Sequence, residues 1–187
     1  MYKHSVIKRH DGEEVTIWVD NGYEVAEGPE EDSLSKRQSA RLWMGSQFLK
    51  SGLVDYCRNH DRRDITSSSS PFTGGVHAIA SWARNNDGFF PWGDDHRGWG
   101  WRTILIGGSN AGRNARYRAA VDRKAIGQTR VGLGTHDVRD DADWTRARQR
   151  QYNGKWRAAS YGWQTCGIPG GGWGRVNYEI VSFDQNV

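Results

Sequence analysis

A mainly β fold, a twisted β-sandwich with one or two short α-helices on its faces, is the architecture this sequence predicts. Three observations point there. Val15–Val19 (VTIWV), Thr103–Ile106 (TILI) and Arg175–Phe183 (RVNYEIVSF) are rich in β-branched and aromatic residues, and the last alternates well. Glycine outnumbers proline 24 to 4, and Asp11-Gly12, Asp20-Asn21-Gly22 and Asn153-Gly154 punctuate the chain as turns. Aromatic residues make up 12% of a chain that is only 36% hydrophobic, so its core is expected to rest on tryptophan, tyrosine and valine rather than leucine.

Taken in order, Tyr2–Arg9 is a weakly patterned first strand and Val15–Val19 a strong one. Glu27–Asp32 is an acidic loop. Ser33–Leu49 makes a poor amphipath, so a strand is placed from about Arg41 to Lys50, and a shorter one at Leu53–Cys57. Asn59–Ser70 (NHDRRDITSSSS) reads as a polar loop. Thr73–Ala83 (TGGVHAIASWA) reads as a central strand, with His77 a hydrogen-bonded core or cross-strand histidine rather than a ligand. Asn110–Ala125 is the clearest helix candidate, being rich in alanine and arginine and stopped by Gly127. Thr129–Leu133 is a short strand. Asp140–Gln151, acidic early and basic late, suits a helix dipole. Lys155–Ser160 and Tyr161–Cys166 are strands around a bend, Ile168–Gly174 a loop presenting Trp173, and Arg175–Phe183 the closing strand. No repeat and no linker divides the chain, so residues 1–187 are read as one domain.

The net charge of +4, from 26 basic and 22 acidic residues, is modest and marks a solvated surface before it marks an anionic partner. The arginines between Arg113 and Arg130 come with no recognition motif, which disfavours nucleic acid. Cys57 and Cys166 are too few for a disulfide framework and leave open a bridge or two buried thiols. No apolar run approaches the roughly 18 residues of a membrane span, and the N-terminus has no signal-peptide core. The expectation is a soluble protein, cytoplasmic or released by a non-classical route.

Asp87–Ile106 (DGFFPWGDDHRGWGWRTILI) concentrates the chemistry. Trp92, Trp99 and Trp101 alternate with Asp94, Asp95, His96 and Arg97, and with Gly93, Gly98 and Gly100. Flat rings beside charged groups are what stacking on a sugar or a lipid headgroup requires. The competing reading fills the core with some of these rings, but the charges between them must reach water. The six histidines are scattered, and no phosphate loop, dinucleotide fingerprint or zinc spacing is present, so neither catalysis nor a cofactor or metal is expected. Asp94, Asp95 and His96 read better as a solvated turn than as an acid–base or metal site.

Several short matches spread along the chain resemble the actinoporins, the sea-anemone cytolysins. They are Ile17–Asn21 (IWVDN); Trp43, Phe48 and Ser51-Gly52; Ser68–Trp82 (SSSPFTGGVHAIASW); the spacing of Pro91 and Trp101; and Tyr161–Ile168 (YGWQTCGI). Fungal fruit-body lectins share that fold. The resemblance implies an actinoporin-like β-sandwich and places Tyr117 on a headgroup-binding helix. The departures bear on activity. No amphipathic insertion helix precedes the first strong strand, Val121 and Asp122 stand where further headgroup tyrosines would lie, and Phe89 and Arg97 replace a loop serine and a loop tyrosine. The lectins' sugar-contacting histidine and asparagine segment also has no clean counterpart.

The expected function is therefore non-catalytic binding. In a lectin-like module, Trp92, Trp99 or Trp101 stacks on a sugar while Asp94, Asp95, His96 and Arg97 bond its hydroxyls, and Tyr117 joins the ligand set by resemblance. In a membrane-binding cytolysin the same rings enter the lipid interface. A third reading is a structural subunit of an assembly. The expected partner is a glycan or lipid headgroup, and a homo-oligomer is left open.

Overall fold

The computed structural model describes residues 2–8, 14–19, 25–26, 48–92, 101–108, 113–122, 131–167 and 172–183, with backbone only for the segments before residue 48 and for Trp92. The described strands are β1 (Tyr2–Lys8), β2 (Glu14–Val19), β3 (Val25–Ala26), β4 (Phe48–Lys50), β5 (Cys57–Asp64), β6 (Gly88–Trp92), β7 (Arg102–Gly107), β8 (Asn114–Val121), β9 (Val131–Gly134), β10 (Arg150–Tyr152), β11 (Lys155–Arg157), β12 (Ser160–Gly167) and β13 (Trp173–Phe183). Helices α1 (Thr73–Asn85) and α2 (Thr135–Arg146) complete the described elements. The fold is mainly β, as expected.

A seven-stranded antiparallel sheet runs in the order β1-β2-β7-β8-β13-β12-β5. A four-stranded sheet runs β3-β4-β6-β9, with β3 and β4 parallel and the remaining pairs antiparallel. β10 and β11 form a hairpin. Alternation orients the large sheet: Val176, Tyr178 and Ile180 of β13, and Ala115, Tyr117 and Ala119 of β8, are buried. Their neighbours Arg175, Asn177, Glu179, Arg116 and Arg118 face the other way. Both helices and β9 lie against the buried face.

Several segments depart from the sequence reading. Thr73–Ala83 is not a central strand but the body of α1, central nonetheless. Val76, Ile79, Ala80 and Ala83 stand at i, i+3, i+4 and i+7, and all are buried. Asn114–Val121 is not a helix but β8: its alanines alternate with arginines at period two, and pairing with β7 and β13 on both sides overrides helix propensity. Asn59–Asp64, the first half of the stretch read as a polar loop, belongs to the edge strand β5, whereas of the strand placed at Leu53–Cys57 only Cys57 lies in a strand and Leu53–Tyr56 is irregular. The second helix begins at Thr135, not Asp140, because Asp137 at its third position accepts the Gly134 N–H at 2.9 Å. β4 covers only the end of the strand placed at Arg41–Lys50, and residues 41–47 lie outside the described residues.

The helices are core elements rather than decorations on outer faces. Trp82 of α1, fully buried, meets Phe48 edge-on at 5.2 Å between ring centroids and lies near Phe90. On its other side α1 rests directly on β7 and β8, because glycine faces glycine. A Cβ on Gly107 would sit 1.9 Å from the Gly75 carbonyl oxygen, and one on Gly75 would sit 2.8 Å from the Ala115 nitrogen. Both neighbours are backbone and cannot swing aside. Gly107→Ala is therefore expected to cost about 1–3 kcal/mol, read as a lower urea midpoint at unchanged m-value. An unchanged midpoint would mean that helix and sheet are not in this contact.

Candidate ligand groove on the outer sheet face

The outward-facing residues of the large sheet line up in rows, because register puts opposite residues on one face. One row crosses five strands: Arg63 (β5), Tyr161 (β12), Glu179 (β13), Arg118 (β8) and Thr103 (β7). The next carries Asp61, Trp163 and Asn177, and the one after it Arg58, Thr165 and Arg175. Trp101, at the mouth of β7, sits beside Arg118. Asp61, Arg63, Trp101, Tyr161, Gly162, Trp163, Arg175, Asn177 and Glu179 line a groove of about 250 Å³, a size that suits a small ligand.

The aromatic rings are available. Trp101 is 41% exposed, Tyr161 38% and Trp173, just beyond the groove, 44%. Each carries a guanidinium: Arg118 over Trp101 at 5.1 Å, Arg63 over Tyr161 at 5.8 Å and Arg58 over Trp173 at 3.7 Å. Arg175 lies over the half-buried Trp163 at 4.4 Å. Stacking of this kind fixes both partners, since the guanidinium is held on the electron-rich ring face.

The polar groups are partly engaged. Arg118 donates to Glu179 Oε2 through Nε at 2.8 Å and through Nη2. Arg63 pairs with Asp61 Oδ2 at 3.4 Å, and Arg175 Nε donates to Asn177 Oδ1 at 3.3 Å. Among the described residues, Asp61 Oδ1, Glu179 Oε1 and Asn177 Nδ2 are left without partners. The groove thus offers free acceptors and a free donor beside ring faces.

Of the residues read from sequence as ligand-binding, Trp101 belongs to this groove. Trp92 ends β6 opposite Val131. Asp94, Asp95, His96, Arg97 and Trp99 lie outside the described residues. Tyr117 is corrected: its ring is fully buried, stacked on Tyr178 at 5.6 Å, and its hydroxyl donates to Asp141 Oδ2 at 2.9 Å. A ring with no exposed surface cannot meet a headgroup. Sequence reasoning missed Tyr161, Trp163 and the arginines that lie over them, Arg63 and Arg175. The signal was present in β12, where Tyr161, Trp163 and Thr165 alternate with the buried Ser160, Gly162, Gln164 and Cys166. Large aromatics on the solvent side of a strand are candidates for contact.

Two features of the inner face hold the groove's edge strand in place. Cys57 lies directly opposite Cys166 and is bridged to it, which settles the pairing that the sequence left open. Asp137, on α2, accepts the Tyr56 N–H at 3.0 Å and the Cys57 N–H at 3.2 Å. Next to these, Asp141 is fully buried and accepts from Arg62 Nε at 2.8 Å and from Tyr117. Burial raises the Asp141 carboxyl to about 6, with Arg62 and the Tyr117 hydroxyl holding it from going higher. Burial likewise raises Asp137. His77 is hydrogen-bonded, as expected, but on a helix: its Nδ1 is 2.6 Å from Arg146 Nη1.

No protein-family model matches the chain, and a search of curated proteins finds no match. Among the described residues no helix is long and apolar enough to cross a membrane, and no three His, Cys, Asp or Glu side chains are placed to hold a metal ion.

Proposed function

We propose that this protein binds carbohydrate non-catalytically, in the groove on the outer face of the large sheet. One observation carries the reading: exposed indole and phenol rings stand beside unpaired carboxylate oxygens and an amide N–H in a groove of ring size. A sugar ring has apolar C–H faces that stack on aromatics and hydroxyls that both donate and accept, so it uses every one of these groups. Trp101 and Trp163 would stack, while Asp61, Asn177 and Glu179 would take hydroxyls. The described part of the site lies on neighbouring strands, which supports a pre-formed surface.

Likeness to the fruit-body lectins suggested the same class of ligand, but the reading does not rest on it. Two of the segments that carry the resemblance, Ser68–Trp82 and the stretch around Tyr117, contain a helix and a strand where the actinoporin pattern has a strand and a helix. An actinoporin-like sandwich therefore adds nothing to the argument from the groove. The disulfide that fastens the groove's edge strand suits a protein at work in an oxidising setting, outside the reducing cytosol.

A glycan array followed by calorimetry on the best binder tests the reading. Trp163→Ala is expected to weaken that glycan by about thirtyfold, as loss of a central ring of about 2 kcal/mol implies. Equal binding by Trp163→Ala and the parent would remove the groove from consideration. Binding to sphingomyelin vesicles with no glycan recognised would favour the membrane-directed reading instead.

A further inference from the structure

The β10–β11 hairpin belongs to neither of the larger sheets, and its two faces differ. Register pairs Arg150 with Arg157, Gln151 with Trp156 and Tyr152 with Lys155. Opposite residues share a face and successive ones alternate, so Gln151 and Trp156 stand on one side and the other four on the reverse. The reverse side is anchored to the segment 64–72. Arg150 pairs with Asp64, the Tyr152 hydroxyl donates to the Thr66 carbonyl at 3.2 Å, and Arg157 Nη1 donates to the Ser70 carbonyl at 2.8 Å. The Arg157 guanidinium also lies on the Phe72 ring at 4.4 Å. Trp156 therefore points away from the body of the protein, and it is 51% exposed.

Its ring face is also free. Trp101, Trp144, Trp163 and Trp173 each lie under a guanidinium, whereas Trp156 has no ring or cation partner among the described residues. The tip beside it is narrow. Asn153 and Gly154 join the strands with φ of 49° and 74°, the left-handed backbone of a tight two-residue turn, and residues 153–156 are all exposed.

The charge around this ring has one sign. Arg146, Arg148, Arg150, Lys155 and Arg157 fall within twelve residues that contain no acid. Asp64 balances Arg150, and Arg157 is turned inward. Arg148 and Lys155 are exposed, and neither has a carboxylate at ion-pair distance among the described residues. A projecting tip cannot enclose a small ligand, which needs a concave site. A single outward ring is a poor platform for a nucleic-acid strand, whose successive bases stack on successive rings. A bilayer surface suits it: an indole settles at headgroup level, and cations beside it meet anionic headgroups.

We propose that the β10–β11 hairpin docks the protein on bilayers rich in anionic lipid, with Trp156 entering the headgroup layer and Arg148 and Lys155 meeting its negative charge. No residue of the hairpin lines the groove, so the inference stands apart from the carbohydrate reading.

Sedimentation of the full chain with sucrose-loaded vesicles tests it, comparing equimolar phosphatidylglycerol and phosphatidylcholine with phosphatidylcholine alone. The anionic vesicles are expected to bind about tenfold or more tighter, with an advantage that shrinks as salt rises. Trp156→Ala should lower that affinity about tenfold and Lys155→Gln about fivefold. Both side chains are exposed, so melting temperature and glycan affinity should stay at the parent values. Equal binding to the two vesicle types, binding to neither, or full anionic binding retained by Trp156→Ala would overturn the proposal. Tighter binding of a single-stranded oligonucleotide than of anionic vesicles, lost in the same variant, would overturn it in favour of a nucleic-acid surface. None of these outcomes bears on the groove, which the glycan array tests separately.

Discussion

Replacing Arg62 with methionine is expected to destabilise the fold by about 3–5 kcal/mol at neutral pH, because it strips a fully buried carboxylate of its only close cation among the described residues. Arg62 Nε donates to Asp141 Oδ1 at 2.8 Å, and Asp141's other oxygen accepts from the Tyr117 hydroxyl. The effect carries a pH signature. In the parent chain burial holds Asp141 at about 6, above the unfolded value of about 3.9. The folded state therefore keeps this proton longer than the unfolded state does. The group's contribution to stability is greatest below about pH 4, falls as pH rises to about 6, and is level above that, a loss of about 3 kcal/mol. Asp137, also raised by burial, acts in the same direction. His60, lowered by its own burial and by Arg62, acts in the opposite one, losing its contribution as the medium becomes acid. Without Arg62 the Asp141 carboxyl moves higher still, so the variant's deficit should shrink as pH is lowered and Asp141 protonates. Urea unfolding of both chains from pH 4 to pH 8 checks this. A deficit of constant size would show that Asp141 is not the group responsible.

Removing the Cys57–Cys166 bridge is the second large effect. The two cysteines are 109 residues apart, and loop-closure arguments for a span near 100 residues give about 4–5 kcal/mol of stabilisation through the unfolded chain. The double variant Cys57→Ala, Cys166→Ala, or the parent chain under reductant, should melt roughly 10 °C or more below the oxidised parent. The functional consequence is local. Among the described residues β5 is an edge strand paired only with β12, and it supplies Arg58, Asp61 and Arg63 to the outer face. Its sequence, CRNHDRRD, has no apolar side chain beyond the cysteine to hold it down. Reduction should therefore weaken the proposed glycan binding before global unfolding begins. Binding that survives reduction unchanged would mean that Asp137's hold on the Tyr56 and Cys57 amides is enough to keep the strand in place.

Strands that carry their own apolar periodicity were legible. VTIWV, TILI and RVNYEIVSF lie within β2, β7 and β13. The segments misread were those whose composition and tertiary position disagree. NARYRAAV is rich in good helix formers, yet two neighbouring strands claim its backbone, and its small residues Ala115 and Ala119 are inward-facing, with Ala115 beside Gly75 of α1. TGGVHAIASWA carries two apolar spacings at once, and a helix wins because alanine suits it and because Val76, Ile79, Ala80 and Ala83 share a face. For β5 nothing local argues for a strand. Pairing with β12 and the disulfide impose it.

By itself the sequence determined that the chain is mainly β, that its core leans on aromatic rings, and that other rings stand beside charges. Those properties follow from residue type and from periods of a few residues. Only the tertiary structure decided which rings meet. Trp101, Tyr161, Trp163 and Trp173 come from three stretches of chain and reach one face because β7, β8, β13 and β12 align in register. Tyr117, of the same chemical type, is turned inward by the same register to serve a buried carboxylate. The physical reason is that a sheet's pairing partners are far apart in sequence, and a shift of one residue in their alignment exchanges the buried face for the exposed one.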